Sequence, residues 1–236
     1  MICALPRCSS LLKSMIALFC LSAGFAAFPP SLCAQQKSIP EQIEWTWEVR
    51  PAHPDPVLPN VLLIGDSLTR NMFPEVTKDL QGTANVYLFA ASTSVGDPRL
   101  TRQIAEFVNM EDVRFRVVHF NNGMHGWKYT EAQFRAGFPA YLGEVEKLVP
   151  SRRDLIWATI TPVLPTATGG ATNARIDARN AIALSFVDVA GIRVDHQHAL
   201  MLKHQDLHQD PVHFNNKGSD MEGDQAAAMI RQVLKN

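Results

Sequence analysis

The chain has 236 residues, 46% of them hydrophobic, and a formal net charge of -1. That length fits one α/β domain better than two and suffices for a well-packed core. The near-zero charge, with no basic run, argues against an electrostatic nucleic-acid surface, so no nucleic-acid partner is expected.

Residues 1–34 read as a signal peptide. Arg7 and Lys13 give a positive start, and Met15 to Ala27 is almost wholly apolar. The apolar run is short for a transmembrane span, and small residues follow it. Cleavage after Ala26 or Ala34 would give a secreted or periplasmic protein with no stable membrane insertion; an uncleaved anchor is the alternative. Neither Cys20 nor Cys33 follows a small residue, which disfavours a lipoprotein. Cys3, Cys8, Cys20 and Cys33 are the only cysteines. Cleavage after Ala34 would therefore leave no disulfide, no thiolate nucleophile and no thiolate metal site.

Residues 35–59 read as an N-terminal strand followed by a proline-rich connector. Ile43, Trp45, Trp47 and Val49 alternate with polar residues, the period of a half-buried strand. The two tryptophans could face a ligand, but packing on the domain body is the expected role. Pro51, Pro54, Pro56 and Pro59 then keep the chain extended.

From residue 60 to 236 the pattern alternates. Val61–Ile64 is strand-like and Thr69–Leu80 helical; Asn85–Ala90 is strand-like and Pro98–Val108 helical, starting on a proline. Val117–Phe120 is a short apolar run. Phe134, Phe138, Tyr141, Leu142 and Val145 recur at helical spacing, with Pro139 expected to force a start or a kink. Leu155–Ile160 is a buried strand. Thr172 caps a helix running to about Ala190, which Gly191 ends, and Ile192–Val194 is a short strand. Gly218–Leu234 is a final amphipathic helix. This alternation predicts an α/β fold with a mainly parallel five-stranded sheet, ordered 2-1-3-4-5 and covered on both faces.

In such sheets ligands bind beyond the carboxyl ends of the strands. Ser67 follows the first of these strands in Gly65-Asp66-Ser67-Leu68-Thr69, and Asp210-Pro211-Val212-His213 precedes the last helix. A serine becomes a good nucleophile only when a base takes its proton, and a histidine is an effective base when held in one tautomer. Ser, then Asp, then His is thus an inventory for covalent acyl transfer.

The GDSLT and DPVH motifs together resemble the SGNH (GDSL) hydrolase superfamily, over roughly Asn60 to Asn236. The absence of a Gly-x-Ser-x-Gly elbow argues against an ordinary α/β-hydrolase. The resemblance implies a flavodoxin-like, three-layer α/β/α sandwich that hydrolyses esters through an acyl-enzyme. It implies Ser67 as nucleophile, His213 as general base and then acid, and Asp210 as the group that orients the imidazole. It also implies an oxyanion hole from the N–H groups of Ser67 and Gly96 and an asparagine side chain. The family's Gly-x-Asn-Asp is here Asn121-Asn122-Gly123-Met124. Asn121 is the expected donor and Asn122 the alternative; either amide could instead satisfy loop backbone. Asp66 is expected to hold the turn rather than do chemistry.

His125, Trp127 and Tyr129 follow this loop and are candidate substrate contacts, with core packing or loop bonding as the competing roles. His196, His198, His204 and His208 cluster before His213, but there is no His-Glu-x-x-His. No metal and no cofactor is expected. The reading is an esterase for short acyl groups, with carbohydrate or cell-wall polymer as the candidate partner. The residues carry no signal for oligomeric state. Two rivals stand beside it: a carbohydrate-binding protein that has lost catalysis, and a metal-dependent hydrolase built on the histidine-rich segment.

Overall fold

The computed structural model describes residues 37–235. The expected signal peptide and all four cysteines lie outside the described residues. Six strands form one sheet: β1 (Thr46–Val49), β2 (Asn60–Gly65), β3 (Asn85–Ala91), β4 (Phe115–Phe120), β5 (Leu155–Ala158) and β6 (Arg193–Asp195). Their order is β1-β3-β2-β4-β5-β6. The five strands from β2 onward pair in parallel, in the order expected. The count of five is corrected to six, because the Trp45–Val49 stretch adds antiparallel to β3, with Trp47 opposite Ala90. The proline-rich connector then carries the chain from this edge to the sheet centre.

The helices are α1 (Ser67–Asp79), α2 (Arg99–Glu111), α3 (Glu131–Glu146), α4 (Asn173–Val187), α5 (Gln197–Met201) and α6 (Asn216–Leu234). Strand parity divides the core. Leu62, Ile64, Phe89, Val118, Phe120 and Trp157 face one way, against α2, α3 and α4. Val61, Leu63, Leu88, Val117 and Ile156 face the other way, against α1 and α6. Three layers result, as the resemblance implies. Among the described residues no helix is long and apolar enough to cross a membrane.

Pro139 neither starts nor ends a helix: α3 begins eight residues earlier, at Glu131, and runs through it. A reciprocal capping box sets that start. Thr130 Oγ1 accepts the Gln133 N–H and the Gln133 side chain accepts the Thr130 N–H. Packing of Phe134, Phe138 and Tyr141 then outweighs the hydrogen bond the proline removes. Elsewhere the caps are simpler. Thr172 opens α4 and Asn215 opens α6; α4 ends at Val187, three residues short of the expected Ala190, and Gly191, with φ 67°, closes the turn that follows it.

Trp157 is fully buried, with the rings of Phe120 and Phe138 each 5.3 Å away. Trp157→Ala is expected to cost about 3–5 kcal/mol, read as a lowered urea midpoint. A loss below about 1 kcal/mol would show that the aromatic cluster is not the centre of this core.

Candidate active site

Ser67 is the first residue of α1, directly after β2. Three constraints put it there. Gly65 lets the first helical turn fold tightly back on the strand, since a Cβ at this position would lie 1.9 Å from Thr69 Oγ1. Asp66 caps the helix by accepting the Leu68 N–H at 3.1 Å. The other oxygen of the fully buried Asp66 carboxylate accepts the Met124 N–H at 3.4 Å, tying this turn to the loop after β4. The carboxylate thus holds the turn, as expected for Asp66.

Asp210 and His213 sit on the loop before α6. Asp210 Oδ1 accepts the N–H groups of Val212 and His213, at 2.8 and 2.7 Å. Its Oδ2 lies 2.8 Å from His213 Nδ1. Burial opposes charge on Asp210, but the two N–H groups and the imidazole outweigh it and hold its pKa below the ordinary value. An ionised carboxylate only accepts, so Nδ1 carries the proton and Nε2 presents its lone pair. Nε2 lies 2.8 Å from Ser67 Oγ. The structure therefore brings together the three residues singled out from the sequence, in a geometry that allows proton transfer from the hydroxyl.

The expected oxyanion residues are placed differently. Asn121 donates its amide to Ala158 O at 2.7 Å, away from the cleft that holds Ser67. Asn122 bridges the loop after β3, accepting the Val95 N–H and donating to Thr93 O, both at 2.9 Å. Both carboxamides thus brace backbone, because their positions at the strand edge leave buried polar groups to satisfy. Gly96 packs beneath the Tyr129 ring, its N–H 3.3 Å from Ser94 Oγ, and does not line the cleft. Ser67 itself remains at a helix N-terminus, where N–H groups and the dipole favour negative charge.

The cleft has a volume of about 560 Å³, and His125 and Trp127 line it beside Ser67 and His213. Tyr129 does not: it is 1% exposed. Its hydroxyl donates to Asp97 and accepts the Ile39 N–H, so it anchors the segment before β1. That segment, residues 38–45, straps the cleft edge. Ser38 Oγ donates to Asp97 at 2.6 Å, and Trp45 exchanges hydrogen bonds with Ser92. Between these ends Glu41 accepts the Gly126 N–H at 2.8 Å and lies 3.0 Å from His125 Nδ1. Trp45 also lines the cleft, its ring edge-on to His125 at 5.7 Å between centroids.

The turn carrying His125 is pinned from below. Arg179, fully buried on α4, donates to the carbonyls of Gly123 and His125 at 2.7 Å and of Gly126 at 3.0 Å. Burial and the neighbouring Arg175 lower its pKa to about 10, against the pull of Glu131. The sequence offers one signal for it, an arginine in the buried stripe Ile176, Arg179, Ala183. Glu41 offers none, being 84 positions from its partner. The clustered histidines disperse. His198 Nδ1 lies 2.8 Å from Ile160 O, whereas His208 stacks on Phe214, so His204 and His208 share no helix face.

No family model matches the chain, and neither does any curated protein. Solved structures do match. An acetylxylan esterase from Geobacillus stearothermophilus aligns with TM-score 0.57 at 15% identity, covering 75% of this chain and 94% of that one. A member of the lipolytic G-D-S-L family from Veillonella parvula aligns with TM-score 0.57 at 13% identity, covering 71% and 95%. The C-terminal catalytic domain of a peptidoglycan O-acetyltransferase from Streptococcus pneumoniae gives 0.53 at 16%, covering 75% and 96%. The fold is that of the SGNH (GDSL) hydrolases.

The strap contact is pH-limited. Burial opposes charge on both partners, yet His125 and the Gly126 N–H hold Glu41 below its ordinary 4.5. Glu41, Asp66 and Glu44 likewise hold His125 above its ordinary 6.5. The Glu41 contribution is complete above 4.5 and fades as pH falls through its lowered pKa. The His125 contribution is complete below 6.5 and fades as pH rises through its raised pKa. Amide exchange of residues 38–45, corrected for intrinsic rate, is therefore expected to be slowest near about pH 5.5 and faster on either side. Glu41→Gln should flatten that profile. A profile unchanged by Glu41→Gln would contradict the clamp.

Proposed function

We propose that the protein is a serine esterase that hydrolyses carboxylic esters through an acyl-enzyme. The observation that carries this reading is the unbroken relay of 2.8 Å contacts from Asp210 through His213 to Ser67, opening on a cleft. The fold's likeness to an acetylxylan esterase and to a GDSL lipolytic protein supports it.

Ser67 Oγ attacks the ester carbonyl carbon while His213 Nε2 takes its proton. Asp210 steadies the imidazolium. The C–O bond to the alcohol then breaks, and His213 gives the alcohol its proton. Water attacks the acyl carbon next; His213 takes its proton and returns it to Ser67 as the carboxylic acid leaves. The negative oxygen forms at the start of α1, where the Ser67 N–H can donate. His125 is a second candidate donor. It lines the cleft, and its Nε2 has no protein partner among the described residues. Its raised pKa favours the charged ring, which would attract the developing oxyanion.

The Asp210 and His213 side chains are partly exposed, so the cleft is open to solvent at the end opposite the strap's contacts with His125 and Gly126. This favours small acyl groups such as acetyl, on an alcohol large enough to extend out of the cleft. A carbohydrate is the alcohol we favour, in an exported enzyme.

Ser67→Ala should remove nearly all hydrolysis of 4-nitrophenyl acetate while leaving the circular dichroism spectrum unchanged. Retention of half the wild-type rate would refute the relay, and a folded protein inactive on every ester would favour a binding role. Chelator-sensitive activity would favour a metal-dependent hydrolase. The two asparagines give a separate test. Asn121→Ala and Asn122→Ala should each lower stability by about 1–3 kcal/mol, because buried backbone groups lose partners. Neither should cut kcat by the hundredfold typical of a lost oxyanion donor. A selective loss of that size in kcat for Asn121→Ala would restore it to the hole.

A further inference from the structure

The strap and α1 enclose a cation that the relay does not use. Arg70 lies one turn beyond Ser67 on α1, on the same helix face. It lines the same cleft as Ser67 and His213. Its guanidinium sits 5.2 Å from the centroid of the Trp45 ring and 5.4 Å from that of Trp47. Trp45, which lines this cleft, and Trp47, which lines the neighbouring one that Arg70 also borders, thus hold a planar cation between the two. Among the described residues no carboxylate or carbonyl accepts from that guanidinium. The acidic side chain lining the cleft, Glu41, is already committed to His125 and Gly126. Lys128, which donates to Pro40 O at 3.4 Å, lines the cleft as well, so the balance of charge there is positive.

A guanidinium fixed by stacking keeps its edge donors for a ligand and loses little side-chain freedom when one binds. Its fork matches a carboxylate. Trp47, 52% exposed beside it, offers a flat apolar face suited to a sugar ring. We propose that Arg70 is a specificity-determining residue, selecting esters whose alcohol carries a carboxylate, such as an O-acetylated acidic sugar. This rests on the serine-esterase reading. The reaction is ordinary ester hydrolysis; Arg70 binds the carboxylate and takes part in no proton transfer.

Two acetyl esters that differ chiefly in charge, 4-acetoxybenzoate and its methyl ester, test this when each rate is taken relative to the uncatalysed hydrolysis of the same ester. Wild type should favour the acid by about tenfold in kcat/KM at low salt, about 1.4 kcal/mol. The preference should shrink as salt rises. Arg70→Gln should bring the ratio close to one, and Arg70→Lys should keep part of it. A wild-type ratio near one, or a tenfold ratio that Arg70→Gln leaves intact, overturns the proposal. The salt series on wild type needs no variant, so a misfolded variant does not leave the question open. If neither ester is cleaved, the esterase reading is judged separately on 4-nitrophenyl acetate, and a tryptophan-fluorescence titration decides the carboxylate site. Glucuronate should change the emission, whereas glucose should not, and Arg70→Gln should not respond. Equal responses to both sugars, or none to either, overturn it.

Discussion

The site depends on how closely α1 and α6 pack. Both follow strands of the parallel sheet and lie on the same face, so both N-termini point to the same edge. At Gly223 the two helices touch; a Cβ there would lie 2.8 Å from Glu75 Cβ and 3.0 Å from Met72 O. This absence of a side chain sets the distance between the start of α1, which is Ser67, and the loop before α6, which holds Asp210 and His213. Residues 146 positions apart thereby meet at 2.8 Å. The hydrogen bonds of the relay tune a meeting that helix packing has already arranged.

Around that pair the structure spends its polar groups on holding backbone. Asp66, Asn121, Asn122 and Arg179 are all buried, and each bonds main-chain atoms at or just beyond the carboxyl ends of the strands. A buried carbonyl or N–H without a partner is costly, so these side chains secure the backbone around the site. The strap, residues 38–45, is held by hydrogen bonds to side chains at separated points. It brings Glu41 and Trp45 to a cleft otherwise built by the α/β domain.

The parallel order of β3, β2, β4, β5 and β6 was readable because buried strands appear as apolar runs and helices as a longer period. Ser67, Asp210 and His213 were readable because their motifs are local and sit at element boundaries. The edge strand β1 was visible as alternation, but its antiparallel pairing depends on β3, which no local pattern reports. The sequence could not place the Asn121 carboxamide, for a physical reason. An asparagine at a strand end can serve a ligand or a neighbouring carbonyl, and only the position of Ala158 O decides between them. Tyr129 misled in a similar way. Its aromatic ring suits a cleft wall, but it fills the space above Gly96, where it fixes the strap.

We propose Ser67 as a nucleophile made reactive by His213. Reaction with a fluorophosphonate followed by peptide mass spectrometry tests this most directly, because the adduct records which oxygen attacked. One adduct per chain is expected on the peptide containing Ser67, formed rapidly in the wild type and very slowly in His213→Ala. Labelling at another residue, or labelling of Ser67 at an equal rate without His213, would contradict it.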